Sequence, residues 1–325
     1  MRVPSFLRDP LIQGILVATV LAFVLPARGE FADVVGVATK IGIALLFFLY
    51  GARLSTREAL RGLTHWRLHL VILGFTFVIY PLVGLALRPA TPFISEPMYQ
   101  GILYAMLVPS TVQSSVALTG IARGNISGSV VAASLSSLVG VIATPLLVML
   151  LMGAGGGIHI DGAVFGNVAL QLLLPFLLGQ IAHNAVPPLR RVAGASATKH
   201  VDRGSIWLVV YSAFSQGIVS GVWAHVSLWE IVFLVVLSVL LVYAMLWVTK
   251  AISRTLRFSY KDRVAIQMCG TQKSLAAGLP MASVIFGGAA LGILIVPLMI
   301  YHLIQLMICS AVAARYAREA ENTSE

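Results

Sequence analysis

The stretch Gly270-Thr-Gln-Lys-Ser274 places a lysine and four small or polar residues inside the apolar run 264–286. A helix needs about 20 apolar residues to cross a bilayer, so this run is long enough to span one. Polar groups in hydrocarbon must find partners or water, and for that reason such residues are expected to have a function. The stretch Pro109-Ser-Thr-Val-Gln-Ser-Ser115 interrupts a second run, 98–120, in the same way.

Composition places most of the chain in a lipid environment. Of its 325 residues, 58% are hydrophobic and 10% are charged, whereas a soluble domain carries about 25% charged residues. The net charge of +10 would suggest a nucleic-acid partner in a soluble protein, but here the basic residues lie in short loops between apolar runs. We therefore expect an all-α membrane protein that contacts the lipid bilayer and not nucleic acid.

Ten apolar runs are candidates for membrane-spanning helices. With a cytoplasmic N-terminus they place the lysines and arginines in cytoplasmic loops, except for Arg28 and Arg88 outside and Lys40 and Lys273 within spans. The sequence thus predicts a multi-pass protein of the bacterial inner membrane with both termini in the cytoplasm. A cleaved signal peptide in place of the first run would leave this orientation unchanged. The runs are 11–27, 34–52, 68–88, 98–120, 125–152, 164–183, 205–224, 228–249, 264–286 and 289–311.

The ten spans divide into two sets of five. A five-span unit that begins in the cytoplasm ends outside, so a second copy must be inverted in the membrane. We predict a first repeat over 1–152, a glycine-rich periplasmic linker over 153–163, and a second repeat over 164–325. The fourth and ninth spans then correspond, and each carries a polar stretch with helix-breaking residues. Paired interrupted spans of this kind indicate a transporter binding site.

The candidate binding site lies where these two spans break. Hydroxyl and amide side chains there can donate and accept hydrogen bonds, and the N-termini of the half-helices present positive dipole ends to an anion. His302 is added because histidine titrates near neutral pH. Serine also serves ordinary helix packing in membranes, which remains an alternative for Ser129. The candidate residues are Gln113, Ser114, Ser115, Ser129, Thr271, Gln272, Lys273, Ser274 and His302.

Lys273 has two interpretations. All 12 carboxylates lie at the chain ends, in loops or near span margins, so none is predicted at the membrane centre to pair with its ammonium. Lys273 therefore either takes part in transport, as a fixed cation that pairs with an anion or as a group that titrates with protons, or it supports the broken helices by donating to their carbonyls.

Several other classes of function are excluded by the sequence. It holds no P-loop, GxSxG or HExxH motif, and the two cysteines, Cys269 and Cys309, lack the spacing of a metal site. We therefore predict that the protein is not an enzyme and has no resident cofactor, with Na⁺ as the one candidate ion.

Seven stretches resemble the bile acid:sodium symporter superfamily, and within it the bacterial branch of YfeH-type proteins. The resemblance extends over nearly the whole chain. The stretches are PSTVQSS (109–115), ARGN (122–125), CGTQKSLAAGLP (269–280), PLMIYHLIQLM (297–307), FFLYGAR (47–53), HWRLH (65–69) and LLLP (172–175).

This resemblance implies a core domain of spans 3–5 and 8–10 and a panel domain of spans 1, 2, 6 and 7. It also implies that the fourth and ninth spans unwind and cross near the midplane. Members of the superfamily couple sodium to the uptake of bile acids or other organic anions. The sodium positions implied by the resemblance are Ser114, Ser115, Ser129, Ala133 and Met268 for one ion and Gln272 for a second.

Three departures from the superfamily pattern affect this implied sodium site. Met268 stands where an acidic ligand is expected, Ala133 replaces a hydroxyl, and Lys273 replaces a neutral residue. Hard cations prefer charged oxygen ligands, and a nearby ammonium repels them. We therefore expect a symporter-like carrier of a small organic anion that works by alternating access at the crossing, with sodium coupling in doubt.

Two alternatives remain open at this level. One is a proton-coupled or uncoupled anion carrier, and the other is a membrane regulator of ion homeostasis that does not transport. The sequence specifies neither the anion nor an oligomeric state.

The predicted topology can be tested with reporter fusions. Fusions at Arg190 and Arg257 should report the cytoplasm, and fusions at Glu30 and Gly155 should report the periplasm, because the basic residues orient the spans. Alkaline phosphatase and green fluorescent protein fusions give the two readouts. A periplasmic signal at Arg190 would contradict the five-plus-five arrangement.

Overall fold

The structure is a computed structural model, and it describes residues 9–53, 65–152, 166–186, 192–193, 195, 198–288 and 291–322. These residues form helices and loops, and no strand occurs among them. The predicted all-α class is therefore confirmed. The predicted linker 153–163 lies outside the described residues.

The helices follow the predicted apolar runs. Two π-helical turns, Phe75–Ile79 and Ala169–Leu173, lead into α4 and α8 respectively. In chain order the α-helices are α1 (Pro10–Val24), α2 (Gly29–Arg53), α3 (Trp66–Gly74), α4 (Tyr80–Ala86), α5 (Glu96–Leu107), α6 (Val112–Ile121), α7 (Ile126–Met152), α8 (Leu174–Ala185), α9 (Thr198–Val219), α10 (Leu228–Thr255), α11 (Tyr260–Thr271), α12 (Leu275–Ile285), α13 (Leu291–Leu294) and α14 (Val296–Asn322).

Several of these helices are suited to a bilayer. Within the described residues, six helices are long and apolar enough to cross a membrane, and the bent pair α5 and α6 would make a seventh. Helix α1 is apolar but has only 15 residues. The protein is thus a polytopic membrane protein, as predicted, while the number of ten crossings stays a prediction.

The two polar stretches coincide with two breaks in the helices. Helices α5 and α6 are bent by 60°, and Val108, at the break, has an extended backbone with ψ 154°. Pro109 accounts for this bend, because a proline lacks an N–H and forces the preceding residue out of the helical region. Helices α11 and α12 are separated by 272–274, where Gln272 is extended with ψ 146°.

By its internal contacts the chain divides into two compact units. The first comprises Met1–Thr56, Met152–Val226 and Gly278–Val296, and the second comprises Arg57–Leu151, Ser227–Ala277 and Pro297–Glu325. The first unit thus contains α1, α2, α8, α9, α13 and most of α12, and the second contains α3 to α7, α10, α11 and α14.

The segment Gly278–Val296 lies in the first unit, although the family resemblance assigned all of the ninth and tenth spans to the core. The contact that explains this placement is at Gly292 of α13. A Cβ at that position would lie 3.0 Å from the carbonyl oxygen of Ala213 in α9. Only a glycine allows α13 to approach the backbone of α9 so closely.

Within the first unit, α2 and α8 pack with their backbones almost in contact. A Cβ on Gly51 would lie 2.0 Å from the carbonyl oxygen of Phe176, and a Cβ on Gly179 would lie 2.0 Å from that of Phe48. Small residues permit this close approach between membrane helices, where lipid removes the hydrophobic drive to associate.

We predict that Gly51→Ala lowers the stability of the protein. The added methyl group has no space beside Phe176, and overpacking of this kind costs about 1–3 kcal/mol. The apparent Tm of the detergent-purified protein measures the effect. Gly36→Ala is the matched control in the same helix, because a Cβ there meets nothing within 4 Å. Equal Tm values for the two variants would contradict the packing described here.

Candidate functional site

The two helix breaks lie side by side in the second unit. The N–H of Ser274 donates to the carbonyl oxygen of Pro109 at 2.8 Å, and the hydroxyl of Ser110 donates to the carbonyl oxygen of Cys269 at 2.6 Å. Ser274 also accepts a hydrogen bond from the N–H of Ala277 at 3.1 Å, which caps the start of α12. The polar stretches are therefore in direct contact.

A broken helix leaves backbone groups that a membrane cannot hydrate, and these groups are paired with side chains. At the break after α5, the carbonyl oxygen of Leu107 accepts from the hydroxyl of Thr144 at 2.9 Å. The N–H of Ser110 donates to the hydroxyl of Ser136 at 3.0 Å. Both hydroxyls come from α7, so this helix satisfies part of the break.

The ammonium of Lys273 donates to two further carbonyls at this break and to one in the π-helical turn before α4. Its side chain is fully buried, and the ammonium donates to the carbonyl oxygens of Thr76, Met106 and Val108 at 3.0, 2.8 and 2.9 Å. The ammonium also lies 4.2 Å from the centroid of the Tyr80 ring, in a cation–π contact. An ammonium has three N–H donors, and all three are used here.

This contact pattern fits the second interpretation of Lys273, a lysine that supports the two broken helices. With three carbonyls bonded, no N–H of the ammonium is directed at an anion. Direct pairing of Lys273 with a substrate is therefore not part of the function proposed below.

The backbone of Lys273 is held by a glutamine from α14. Gln305 accepts from the N–H of Lys273 at 2.7 Å and donates to its carbonyl oxygen at 2.8 Å. The Nδ1 atom of His302 lies 3.1 Å from the same carbonyl oxygen and 2.8 Å from Nε2 of Gln305. His302 thus joins the predicted site through the backbone of Lys273. Gln305 was missed from the sequence, although a glutamine three residues after His302 in an apolar span was a usable signal.

Two tyrosines hold the end of α11. The hydroxyls of Tyr80 and Tyr301 lie 2.5 and 3.0 Å from the carbonyl oxygen of Thr271 and 2.6 Å from each other. Both tyrosines were also missed from the sequence. Tyr80 therefore contacts the break twice, through its hydroxyl and through the face of its ring.

A small polar group is left at the start of α6. The hydroxyl of Ser114 donates to Oε1 of Gln272 and lies 3.3 Å from the hydroxyl of Thr111. Gln272 is 1% exposed, and its Nε2 atom finds no partner among the described residues; the same is true of Oγ1 of Thr271. Gln113 is exposed beside this group. This group therefore lacks an acceptor for the amide N–H of Gln272. A buried N–H without an acceptor costs free energy.

The other predicted hydroxyls form a separate, fully buried cluster. Ser129 lies 3.1 Å from the hydroxyl of Thr119 and 2.9 Å from Sγ of Cys269, and Ser115 donates to the carbonyl oxygen of Met268 at 3.3 Å. No carboxylate bonds to this cluster within the described part of the chain. These residues do not fit a sodium ion, because their hydroxyls are already bonded within the protein and no charged oxygen of the described residues joins them.

The comparisons with known proteins extend over nearly the whole chain. A model of the SBF-like CPA transporter family matches residues 9–318. A Pseudomonas aeruginosa protein is 44% identical over 99% of this chain and 96% of its own length. The Escherichia coli protein described as "Putative symporter YfeH" is 41% identical over 96% of this chain and 94% of its own. The Danio rerio protein named sodium/bile acid cotransporter 7 is 29% identical over 84% and 82% of the two chains.

We predict that Gln305→Leu lowers stability strongly. The substitution leaves the buried N–H and carbonyl of Lys273 without their glutamine partner, at a cost of about 1–3 kcal/mol for each group. The apparent Tm in detergent measures the loss. Gln216→Leu is the control, because Gln216 is exposed and makes one longer bond, 3.3 Å, to Ser212. A Gln305 variant as stable as this control would show that the glutamine does not hold the break.

Proposed function

The chain belongs to the SBF-like CPA transporter family, and from this membership we propose that it is a secondary transporter that carries a small organic anion by alternating access around its two helix breaks. It is a transporter and not an enzyme, as the sequence predicted. The anion site in this proposal rests on one observation, the buried amide nitrogen of Gln272, which has no hydrogen-bond acceptor among the described residues.

An anion would supply the missing acceptor. The amide of Gln272 accepts through Oε1 from the hydroxyl of Ser114, in the first turn of α6, and Gln113, the residue before Ser114, is exposed. Helix α6 begins at Val112, and the side chain of its N-cap residue Thr111 makes no capping bond within the described residues, so it leaves the first N–H groups of the helix to another acceptor. Free N–H groups and the positive end of the helix dipole favour a carboxylate or sulfonate.

We further propose that the protein has ten membrane spans in two inverted repeats, 1–152 and 164–325, with both termini in the cytoplasm. Support comes from the helices that overlap each predicted run and from the distribution of basic residues. The breaks after α5 and α11 would then lie in the fourth proposed span of each half, as inverted repeats with a shared binding site require.

Coupling to sodium is proposed to be weak or absent. The vertebrate relatives are named sodium/bile acid cotransporters, but here Met268 is fully buried and no acid bonds to the neighbouring hydroxyls in the described residues. A sodium ion in this cluster would lack a negative ligand. Coupling to protons, or uncoupled transport of the anion, takes its place.

The proposed anion site can be tested by substituting Gln272. Gln272→Leu should remove the donor and reduce anion transport by about tenfold, the effect of one hydrogen bond to a charged group. Stability should change little, because the substitution removes the unsatisfied amide nitrogen and also the acceptor of Ser114, whose hydroxyl keeps that of Thr111 at 3.3 Å. Counterflow in liposomes of labelled carboxylates and sulfonates, including a bile acid, gives the rate, and the apparent Tm gives the stability.

Gln267→Leu, in the helix α11 that ends just before Gln272, should show the opposite balance. Gln267 donates to the carbonyl oxygen of Leu246 at 2.9 Å and accepts from the hydroxyl of Tyr316 at 3.0 Å, so its loss should lower the Tm. Unchanged counterflow in the Gln272 variant would contradict the site. A wild-type protein that exchanges none of these anions would contradict the proposed function itself.

Sodium dependence is tested in the same liposomes. Initial uptake should change little when sodium is replaced by choline at a fixed membrane potential, because the cluster around Ser129 lacks a carboxylate. A steep dependence on sodium concentration would show that other oxygen ligands bind the ion.

A further inference from the structure

The surroundings of the Lys273 ammonium have the composition of a site for a small monovalent cation. Three backbone carbonyl oxygens lie 2.8–3.0 Å from Nζ, and the face of an aromatic ring, Tyr80, lies 4.2 Å away. Rings of backbone carbonyls replace the hydration shell of monovalent cations in membrane proteins, and aromatic faces bind ammonium groups. No carboxylate is among these contacts.

These carbonyls lack a helical N–H donor because of the course of the backbone, and this does not depend on the lysine. In the π-helical turn the N–H of Tyr80 donates to the carbonyl oxygen of Phe75, five residues earlier. In the same register the carbonyl oxygen of Thr76 would accept from residue 81, but this residue is Pro81, which has no N–H. Met106 lies in the last turn of α5, and the N–H that would continue the helix, that of Ser110, is bonded to Ser136.

The third carbonyl, that of Val108, lies in the extended segment of the break. The three carbonyls therefore point at one buried position from two spans. The carbonyl of Met106 lies at the negative end of the α5 dipole. In lipid such groups need a donor or a cation, so the position requires one or the other whichever molecule supplies it.

We propose that Lys273 is a tethered cation: its ammonium fills an internal monovalent-cation site that fixes the two helix breaks to the third span, and a free primary ammonium ion binds at the same site when the side chain is shortened. Lys273 is a positioning residue in this account, since it acts through the backbone of the breaks and not on the substrate. The inference rests on the geometry of the break and is independent of the anion that the protein carries.

The test is chemical rescue of Lys273→Ala by methylammonium. The substitution removes the charge and opens a cavity of the size of the lost side chain beside the carbonyls. The apparent Tm of this variant, measured in choline chloride, should be well below that of the wild type. Replacing choline by methylammonium should raise it in a concentration-dependent way and recover most of the loss, because a ligand that binds only the folded state stabilises it by mass action.

The protein provides its own reporter for this measurement. Cys269 and Cys309, its two cysteines, are both buried and free, so a thiol-reactive fluorophore detects unfolding. No substrate is needed, and for this reason failure of the proposed transport function and failure of the tethered-cation proposal are distinguishable.

Three controls define the site. Tetramethylammonium carries the charge but has no N–H donors, so it should not rescue the alanine variant. Lys273→Met fills the cavity with an uncharged chain, and its Tm should be low and insensitive to methylammonium. Lys250→Ala removes an ammonium that lies 5.5 Å from the Tyr316 ring and away from the break, and methylammonium should not raise its Tm above that of the wild type in the same salt.

Other results would overturn the proposal. A lysine that only fills space predicts that the methionine variant is nearly as stable as the wild type and that methylammonium has no effect on the alanine variant. If Lys273→Ala does not fold in choline, it is to be purified throughout in methylammonium, and folded protein obtained only under that condition supports the site. Absence of folded protein under both conditions would also overturn the proposal, since a free cation would then not replace the tethered one.

Discussion

Backbone groups inside a membrane must find partners within the protein, and the second unit meets this requirement at its two helix breaks with Lys273 and with side chains from three other helices, α4, α7 and α14. The ammonium of Lys273 is central, because it bonds three carbonyls that no helical N–H reaches. The hydroxyls of Thr144 and Ser136 pair two more groups of the same break, and Gln305 pairs both backbone groups of Lys273 itself. A broken helix is tolerated in lipid only when such a set is complete.

The breaks could be predicted from the sequence because their causes are local. Pro109 restricts the residue before it, and polar residues at 270–274 stand out against an apolar run. The partners of Lys273 could not be predicted in the same way. Pro81 is visible in the sequence, but the loss of a donor for Thr76 depends on a π-helical register that no side-chain pattern specifies. Gln305 and Tyr301 act through a fold that brings α14 beside the break, and neither has a spacing that points to residue 273.

The division of the chain into units shows a second limit of the sequence. The two halves 1–152 and 164–325 are a prediction about repeats, whereas the compact units each draw helices from both halves. Periodicity and charge locate spans along the chain, but they carry no information on which spans pack together. That is decided by contacts such as the one at Gly51, where the absence of a side chain allows α2 to lie against Phe176 of α8.

The electrostatic character of the site follows from residues 268 and 273 together. An acid at position 268 with a bound sodium ion would have no net charge. Met268 with Lys273 instead leaves one positive charge, in a region where the described residues offer no carboxylate partner. The carbonyls stabilise this charge but do not cancel it, because they are neutral dipoles. Two unit charges about 8 Å apart still interact by about 2 kcal/mol at an effective dielectric constant of about 20. An anion held at the amide of Gln272, the residue next to Lys273, would therefore be attracted by the ammonium without touching it. The same lysine can thus support the breaks through its hydrogen bonds and favour an anionic substrate through its charge.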